Sequence, residues 1–194
     1  QEYTKVNFLD KNDVKLGEEF KKKGYIIRNV RNLSHLNYIQ GKIINSTQLK
    51  NNKKKFSNLS FLDNIHKLIK VKDLNNFRVK IMKLINDDMK FKKCFYELSK
   101  DLLESLLGNE LAMQKRISLS IQLPKDKSSL LPIHSDTWSG LSPFEVVVWI
   151  PLVNCYKTKS MYILPPNENT KLMKKFKNFL KSKSKKIFKI IKKK

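Results

Sequence analysis

Arginine is scarce in this chain. Only Arg28, Arg31, Arg78 and Arg116 stand among 41 Lys plus Arg in 194 residues, against 17 Asp plus Glu, so the formal net charge of +24 is carried almost wholly by lysine. Base edges are read best by the bidentate guanidinium fork, and this shortage argues against sequence-specific DNA recognition. Two cysteines far apart, Cys94 and Cys155, give no disulfide framework and point to a reducing cytoplasm. Five Gly and six Pro exclude collagen-like and Gly/Pro-rich low-complexity chains. The longest apolar run, Val146 to Val153, is far short of the roughly 20 residues that span a bilayer, so no transmembrane segment is expected. The first residues, Gln1-Glu2-Tyr3-Thr4-Lys5, lack the apolar region of a signal peptide. Histidine occurs three times, and neither His nor Arg follows Asp136.

What is present suits a globular chain. Hydrophobic residues make up 40% and aromatic residues 10%, enough for one core at roughly 100–200 residues per domain, so 1–194 reads as a single domain. The charge is lopsided: twelve lysines and no acid lie between Lys171 and Lys194, half of the net charge. Runs such as Asn51-Asn52-Lys53-Lys54-Lys55 and Ile43-Ile44-Asn45 show a bias that AT-rich coding sequence produces without selection for charge. Binding of a polyanion is the competing reading of the same lysines, with nucleic acid the less favoured partner.

Residues 1–110 read as mainly helical. Val14, Leu16 and Phe20 lie on a charged segment that stops at Gly24, followed by a short strand, Tyr25 to Val30, while Leu33 to Ile44 is ambiguous. Leu59, Leu62, Ile65, Leu68 and Ile69 recur at helical spacing, as do Leu74, Phe77, Ile81, Leu84 and Ile85. A third stripe, Phe95 to Leu107, ends at Gly108-Asn109 as a C-cap. From Ile117 the period becomes two: Ile117-Ser118-Leu119-Ser120-Ile121-Gln122-Leu123 puts four aliphatics on one face and Ser118, Ser120 and Gln122 on the other. Phe144 to Leu152 and Ser160 to Leu164 read as further apolar strands. Helices followed by strands predict an α+β fold in which helices flank a sandwich or barrel. Residues 167–194 carry Leu172, Phe176, Phe179, Leu180, Ile187 and Ile191 at roughly helical spacing, predicting a Lys-rich surface helix.

His134 and Asp136 are the residues with chemistry. One residue apart on an extended backbone, their side chains leave the same face and can converge on one ion, as two thirds of the facial triad that holds non-haem Fe(II). Taken alone, the same tripeptide also suits a hydrogen-bonded histidine beside a surface carboxylate. His35 and His66, on segments of helical type, read as ordinary structural or surface residues.

The surrounding order narrows the reading. A polar-faced strand leads through Pro132-Ile133-His134-Ser135-Asp136-Thr137-Trp138-Ser139-Gly140 to Trp149-Ile150-Pro151-Leu152 and Cys155-Tyr156-Lys157-Thr158-Lys159-Ser160-Met161-Tyr162. This resembles the 2-oxoglutarate/Fe(II)-dependent oxygenases on their phytanoyl-CoA dioxygenase-like side, and more narrowly the bacterial oxygenases of sporadic carbohydrate biosynthesis clusters. It is strong over about 111–166 and looser upstream. The resemblance implies a double-stranded β-helix (jelly-roll or cupin-like) core in 111–166, with His134 and Asp136 as iron ligands. It further implies 2-oxoglutarate as the cosubstrate that leaves as succinate and carbon dioxide, and a carbohydrate-type small molecule as the substrate oxidised. Trp149 falls where such enzymes place an aromatic beside the cosubstrate. Gln122 is a second candidate cosubstrate contact, and Lys157 and Lys159 are candidates for an anionic sugar or a carboxylate.

The family's distal histidine ligand, and the Arg or Lys about ten residues beyond it, are missing after Asp136. With only 58 residues following that aspartate, the chain reads as the N-terminal portion of such an oxygenase, incomplete at its C-terminus and weakly active at most. A continuation would carry two further strands, a His and an Arg or Lys. The rival class is a non-catalytic β-helix module that binds a carbohydrate or polyanion.

The lysine-borne charge is tested by retention of random duplex and single strand on the protein. Both are expected to bind at low salt without sequence preference and to be released near 150 mM, where the screening length falls to about 8 Å. Retention of one sequence at that salt would overturn the assignment of the charge to composition.

Overall fold

A computed structural model describes residues 9–47, 57–124, 126–127, 130–132 and 134–180. The chain divides into two compact units, one from its start to Arg28 together with Lys157 onward, the other Asn29–Tyr156.

In the first unit, α1 (Lys11–Lys23) is opened by Asp10, whose carboxylate accepts from the N–H groups of Asn12 and Asp13 at 2.6 and 2.8 Å. Gly24 closes it at φ 77°, donating its N–H to Phe20 at 2.7 Å. A side chain at Gly24 would be strained twice over, because its Cβ would also lie 3.2 Å from the Pro166 ring, the first residue of α7 (Pro166–Leu180). Glu19 bridges Arg28 at 2.6 Å and Lys23 at 2.9 Å. Those two cations, Arg28 foremost, hold its carboxyl down to about 2, and Glu19 itself pushes the Arg28 guanidinium up. The predicted strand from Tyr25 to Val30 is not formed: Ile27 is exposed, and Arg28 donates to Glu19 and to the Ile27 carbonyl instead of facing a neighbouring strand.

The second unit holds the core. Helix α2 (Leu33–Ser46) packs on α3 (Asn58–Asp63), α4 (Leu74–Asn86) and α5 (Met89–Glu97), and α6 (Lys100–Leu107) follows α5. Ile39, Ile43 and Ile44 of α2, Phe61 and Leu62 of α3, Ile81 and Ile85 of α4, and Phe91 and Cys94 of α5 share one buried cluster. The stripe read as one helix from Phe95 to Leu107 breaks at Leu98-Ser99, where Ser99 turns back to Tyr96, and Gly108 does cap α6 at φ 89°.

The fold class read from the sequence is corrected here. No β-strand, and hence no double-stranded β-helix, is formed among the described residues; the regular structure there is helical. The physical reason is visible at Ile117–Leu123. This segment is extended and its burial alternates as expected, with Ile117 and Leu123 buried and Ser118, Ser120 and Gln122 exposed. Its neighbour is a helix. Asn86 of α4 accepts from the Ile117 N–H at 2.8 Å and donates to the Ile117 carbonyl at 2.9 Å. Met82 takes the Leu119 N–H on its sulfur at 3.1 Å, and the Arg78 guanidinium donates to the Ile121 carbonyl and pairs with Asp126 at 3.5 Å.

The register follows from geometry. Four residues of helix rise about 6 Å, and two residues of extended chain advance about 6.6 Å, so Arg78, Met82 and Asn86 meet Ile121, Leu119 and Ile117 in reverse order. Backbone groups that a ladder would use are already taken by side chains. In Phe144–Leu152 the alternation also persists without a ladder: Val146, Val148, Ile150 and Leu152 are half-buried, while Val147 and Trp149 are exposed and Phe144 is 87% exposed. The Leu152 carbonyl is held by buried Gln40 of α2 at 3.0 Å.

Asn86→Ala leaves both the N–H and C=O of buried Ile117 unpaired and is expected to cost about 2–3 kcal/mol in urea denaturation. An unchanged midpoint would remove the clamp from the list of stabilising contacts.

Candidate functional site

His134 and Asp136 face one another because Ser135, between them, is extended at φ −125°, ψ 137°. A single 3-10 turn, Asp136–Ser139, then carries the chain away and ends at Gly140 with φ 85°. The Trp138 N–H donates to the Ser135 carbonyl at 2.9 Å, the Leu141 N–H reaches back to the Asp136 carbonyl at 3.3 Å, and the Ser135 and Thr137 hydroxyls are 2.8 Å apart. The aspartate backbone is therefore fixed on both sides. His134 Nε2 lies 3.7 Å from Asp136 Oδ1, with both side chains about half exposed.

The other imidazole nitrogen decides what this pair can do. His134 Nδ1 lies 2.7 Å from the Pro132 carbonyl oxygen. A carbonyl only accepts, so Nδ1 carries the hydrogen of this contact, and Nε2 is the ring atom left free to serve as a ligand beside the Asp136 carboxylate. That is the arrangement of a histidine that ligates through Nε2, oriented by a backbone carbonyl. Two ligands each about 2.1 Å from one ion stand about 3.0–3.4 Å apart, so a small closing movement of either half-exposed side chain suffices. The pair fits a divalent ion as two ligands. Among the described residues, no group of three or more His, Cys, Asp or Glu is gathered that would complete a triad.

Gln122 is exposed on the polar side of Ile117–Leu123, and with no barrel formed it does not face a barrel interior. Trp149 is 46% exposed on the outward face of its extended segment. Both belong to the same unit as His134 and Asp136, whereas Lys157 and Lys159, exposed in the turn Lys157–Lys159, belong to the other. Lys157 has φ 49°, an unusual backbone for a lysine. Residues 181–194, with Ile187 and Ile191 of the predicted Lys-rich helix, lie outside the described residues, and α7 covers its first part.

Two features escaped the sequence reading. The Pro132 carbonyl that orients His134 is a backbone group, which no pattern of side chains announces. The second feature lies at the start of α5. Asp88 caps Phe91, accepts from Tyr38 at 3.0 Å and pairs with Lys42 at 2.6 Å, and Lys90 sits 4.6 Å over the Tyr38 ring. The Asp87-Asp88 pair between two helical stripes was its signal. Burial pushes the Asp88 carboxyl up, but Lys42, the Phe91 N–H and the Tyr38 hydroxyl together outweigh it and hold the carboxyl below its ordinary value. The same contact raises Lys42, and burial followed by Asp88 raises Tyr38. Burial likewise pushes the Cys94 thiol up, so it is no thiolate nucleophile at neutral pH.

No helix among the described residues is long and apolar enough to cross a membrane. Comparison with protein-family profiles, curated proteins and solved structures finds nothing that matches this chain.

Co(II) is expected to bind weakly, through His134 and Asp136. His134→Ala and Asp136→Ala should each weaken it by more than the 10–100-fold typical of outer-shell changes, read from the visible spectrum of the bound ion. Equal affinity in the double variant would show that the pair is not a metal site.

Proposed function

We propose that this chain contributes the His-x-Asp limb of an Fe(II) centre in a 2-oxoglutarate-dependent oxygenase acting on a carbohydrate or carbohydrate-linked metabolite. One observation carries the reading. The tripeptide whose surroundings resemble the carbohydrate-cluster oxygenases has His134 Nε2 and Asp136 Oδ1 3.7 Å apart, with His134 Nδ1 2.7 Å from the Pro132 carbonyl oxygen. The support comes from the pair and its sequence surroundings; the helical fold adds none.

Iron, when bound, supplies adjacent coordination positions at which a 2-oxo acid and dioxygen meet, so that substrate, 2-oxoglutarate and O2 become hydroxylated product, succinate and carbon dioxide. The protein's own contribution is positional. Pro132 holds the His134 ring by its Nδ1–H, leaving Nε2 to the metal, and the Asp136 carboxylate offsets part of the cation's charge. Half exposure of both side chains leaves the site wet. The two residues can hold an ion but do not by themselves fill a facial triad, so slow turnover is expected of this chain. Trp149 beside the cosubstrate, Gln122 as a second cosubstrate contact, and Lys157 and Lys159 on an anionic sugar or carboxylate belong to the same reading.

Under anaerobic conditions, Fe(II) with excess 2-oxoglutarate should give the visible charge-transfer band of a chelated 2-oxo acid, and admitting air with ascorbate present as the two-electron reductant in place of substrate should release succinate and carbon dioxide. Both signals are expected to grow when imidazole is added as a substitute third ligand, and to vanish in His134→Ala. Absence of band and succinate with and without imidazole would overturn the enzyme reading in favour of a non-catalytic binding module.

A further inference from the structure

The consecutive residues Val146 to Ile150 take part in no backbone hydrogen bond among the described residues. No helix or turn interrupts them, and their burial alternates. The flanks are already engaged. Phe144 and Glu145 donate their N–H groups to the Ser142 hydroxyl and carbonyl, each at 3.2 Å, Pro151 has no N–H, and Gln40 holds the Leu152 carbonyl at 3.0 Å. Between them lies a short extended segment with both edges open, and Val-Val-Val-Trp-Ile is the composition of a strand.

We propose that Val146–Ile150 pairs with the same segment of a second copy, antiparallel about a two-fold axis at Val148, so that the chain forms a closed dimer. Of the 41 Lys plus Arg in 194 residues none lies between Ser128 and Tyr156, where the acids are Asp136 and Glu145. Two copies of a chain of net charge +24 can therefore meet along this segment without lysine facing lysine. The same absence removes the cations that a nucleic-acid backbone would need. Open N–H and C=O groups rule against a lipid interior, where each would stay unpaired. A strand satisfies both conditions. The inference does not rest on the oxygenase reading.

The free groups set the register. Successive residues of an extended chain turn their N–H and C=O to opposite edges. One edge carries Val146, Val148 and Ile150, all with free groups; the other carries Val147 and Trp149, bounded by Glu145, whose N–H is taken, and by Pro151. Pairing on the first edge about Val148 sets Val146 against the second copy's Ile150 and Val148 against its own counterpart, which uses every free group on that edge. Val147 then lies opposite the second copy's Trp149 at the closer, non-hydrogen-bonded spacing, a β-branched side chain against an aromatic one. Both are exposed in the single chain, so the pairing covers apolar surface. Glu145 falls opposite Pro151, which keeps the two Glu145 carboxylates about 20 Å apart, beyond the screening length of about 8 Å.

Sedimentation equilibrium in about 0.15 M salt, which screens the diffuse repulsion, should show a mass that rises with concentration from monomer to dimer and stops there. Over the same range the amides of Val146, Val148 and Ile150 should gain protection from hydrogen exchange, and those of Val147 and Trp149 should not. Val147→Lys/Trp149→Lys sets lysine opposite lysine and should weaken the dimer at least tenfold. Val147→Lys/Trp149→Glu sets lysine opposite glutamate in the same register and should restore it. Val79→Lys/Met89→Lys, at exposed positions of α4 and α5, adds as much charge as the first variant and should leave the dimer intact. A chain that stays monomeric, or one that grows past the dimer without limit, would overturn the closed pair. Equal weakening in the two Val147/Trp149 variants would overturn the register, and equal protection of all these amides would overturn the choice of edge.

Discussion

The exposed-to-core edge of α4 that carries Arg78, Met82 and Asn86 replaces a neighbouring strand for Ile117–Leu123, and the rest of the larger unit depends on that substitution. An extended chain cannot be buried unless its N–H and C=O groups find partners. Side chains four apart on a helix advance almost as far as alternate residues of an extended chain, so one helix face can satisfy three successive positions. With those positions satisfied, Ile117 joins the buried cluster of α2–α5, and Leu119, Ile121, Leu152 and Val153 pack around it.

The clamp also determines where the chain goes next. Arg78 holds both the Ile121 carbonyl and Asp126, so the departure from the core is fixed just before the segment that leads to His134. Beyond that point local geometry takes over. Extended Ser135, the turn at Asp136 and the left-handed Gly140 orient the His134–Asp136 pair without support from the core, which is why both side chains remain half in water. An arrangement of this kind can orient an imidazole through Pro132 but cannot exclude solvent.

A cavity between α2 and α5 has the opposite character. Its lining residues are presented by packed helices, and of the carboxylates near Cys94, Asp88 caps α5 and Glu97 lies one helical turn beyond Lys93. The exposed His134–Asp136 loop, by contrast, offers ligands without enclosure.

The amino-acid sequence by itself determined several helical stripes and their apolar faces, but not Leu33 to Ile44, which is ambiguous by pattern and falls within α2. The stripe from Leu74 to Ile85, the stop at Gly24, the cap at Gly108 and the alternation from Ile117 to Leu123 are local patterns, set by backbone sterics and side-chain period. The i, i+2 spacing of His134 and Asp136 was legible for the same reason. Only the tertiary structure decided what each extended segment faces. A period of two states that alternate residues are buried, but it does not distinguish a strand from a helix as the covering element. Asn86 and Ile117, 31 residues apart, meet through long-range packing that no local pattern encodes.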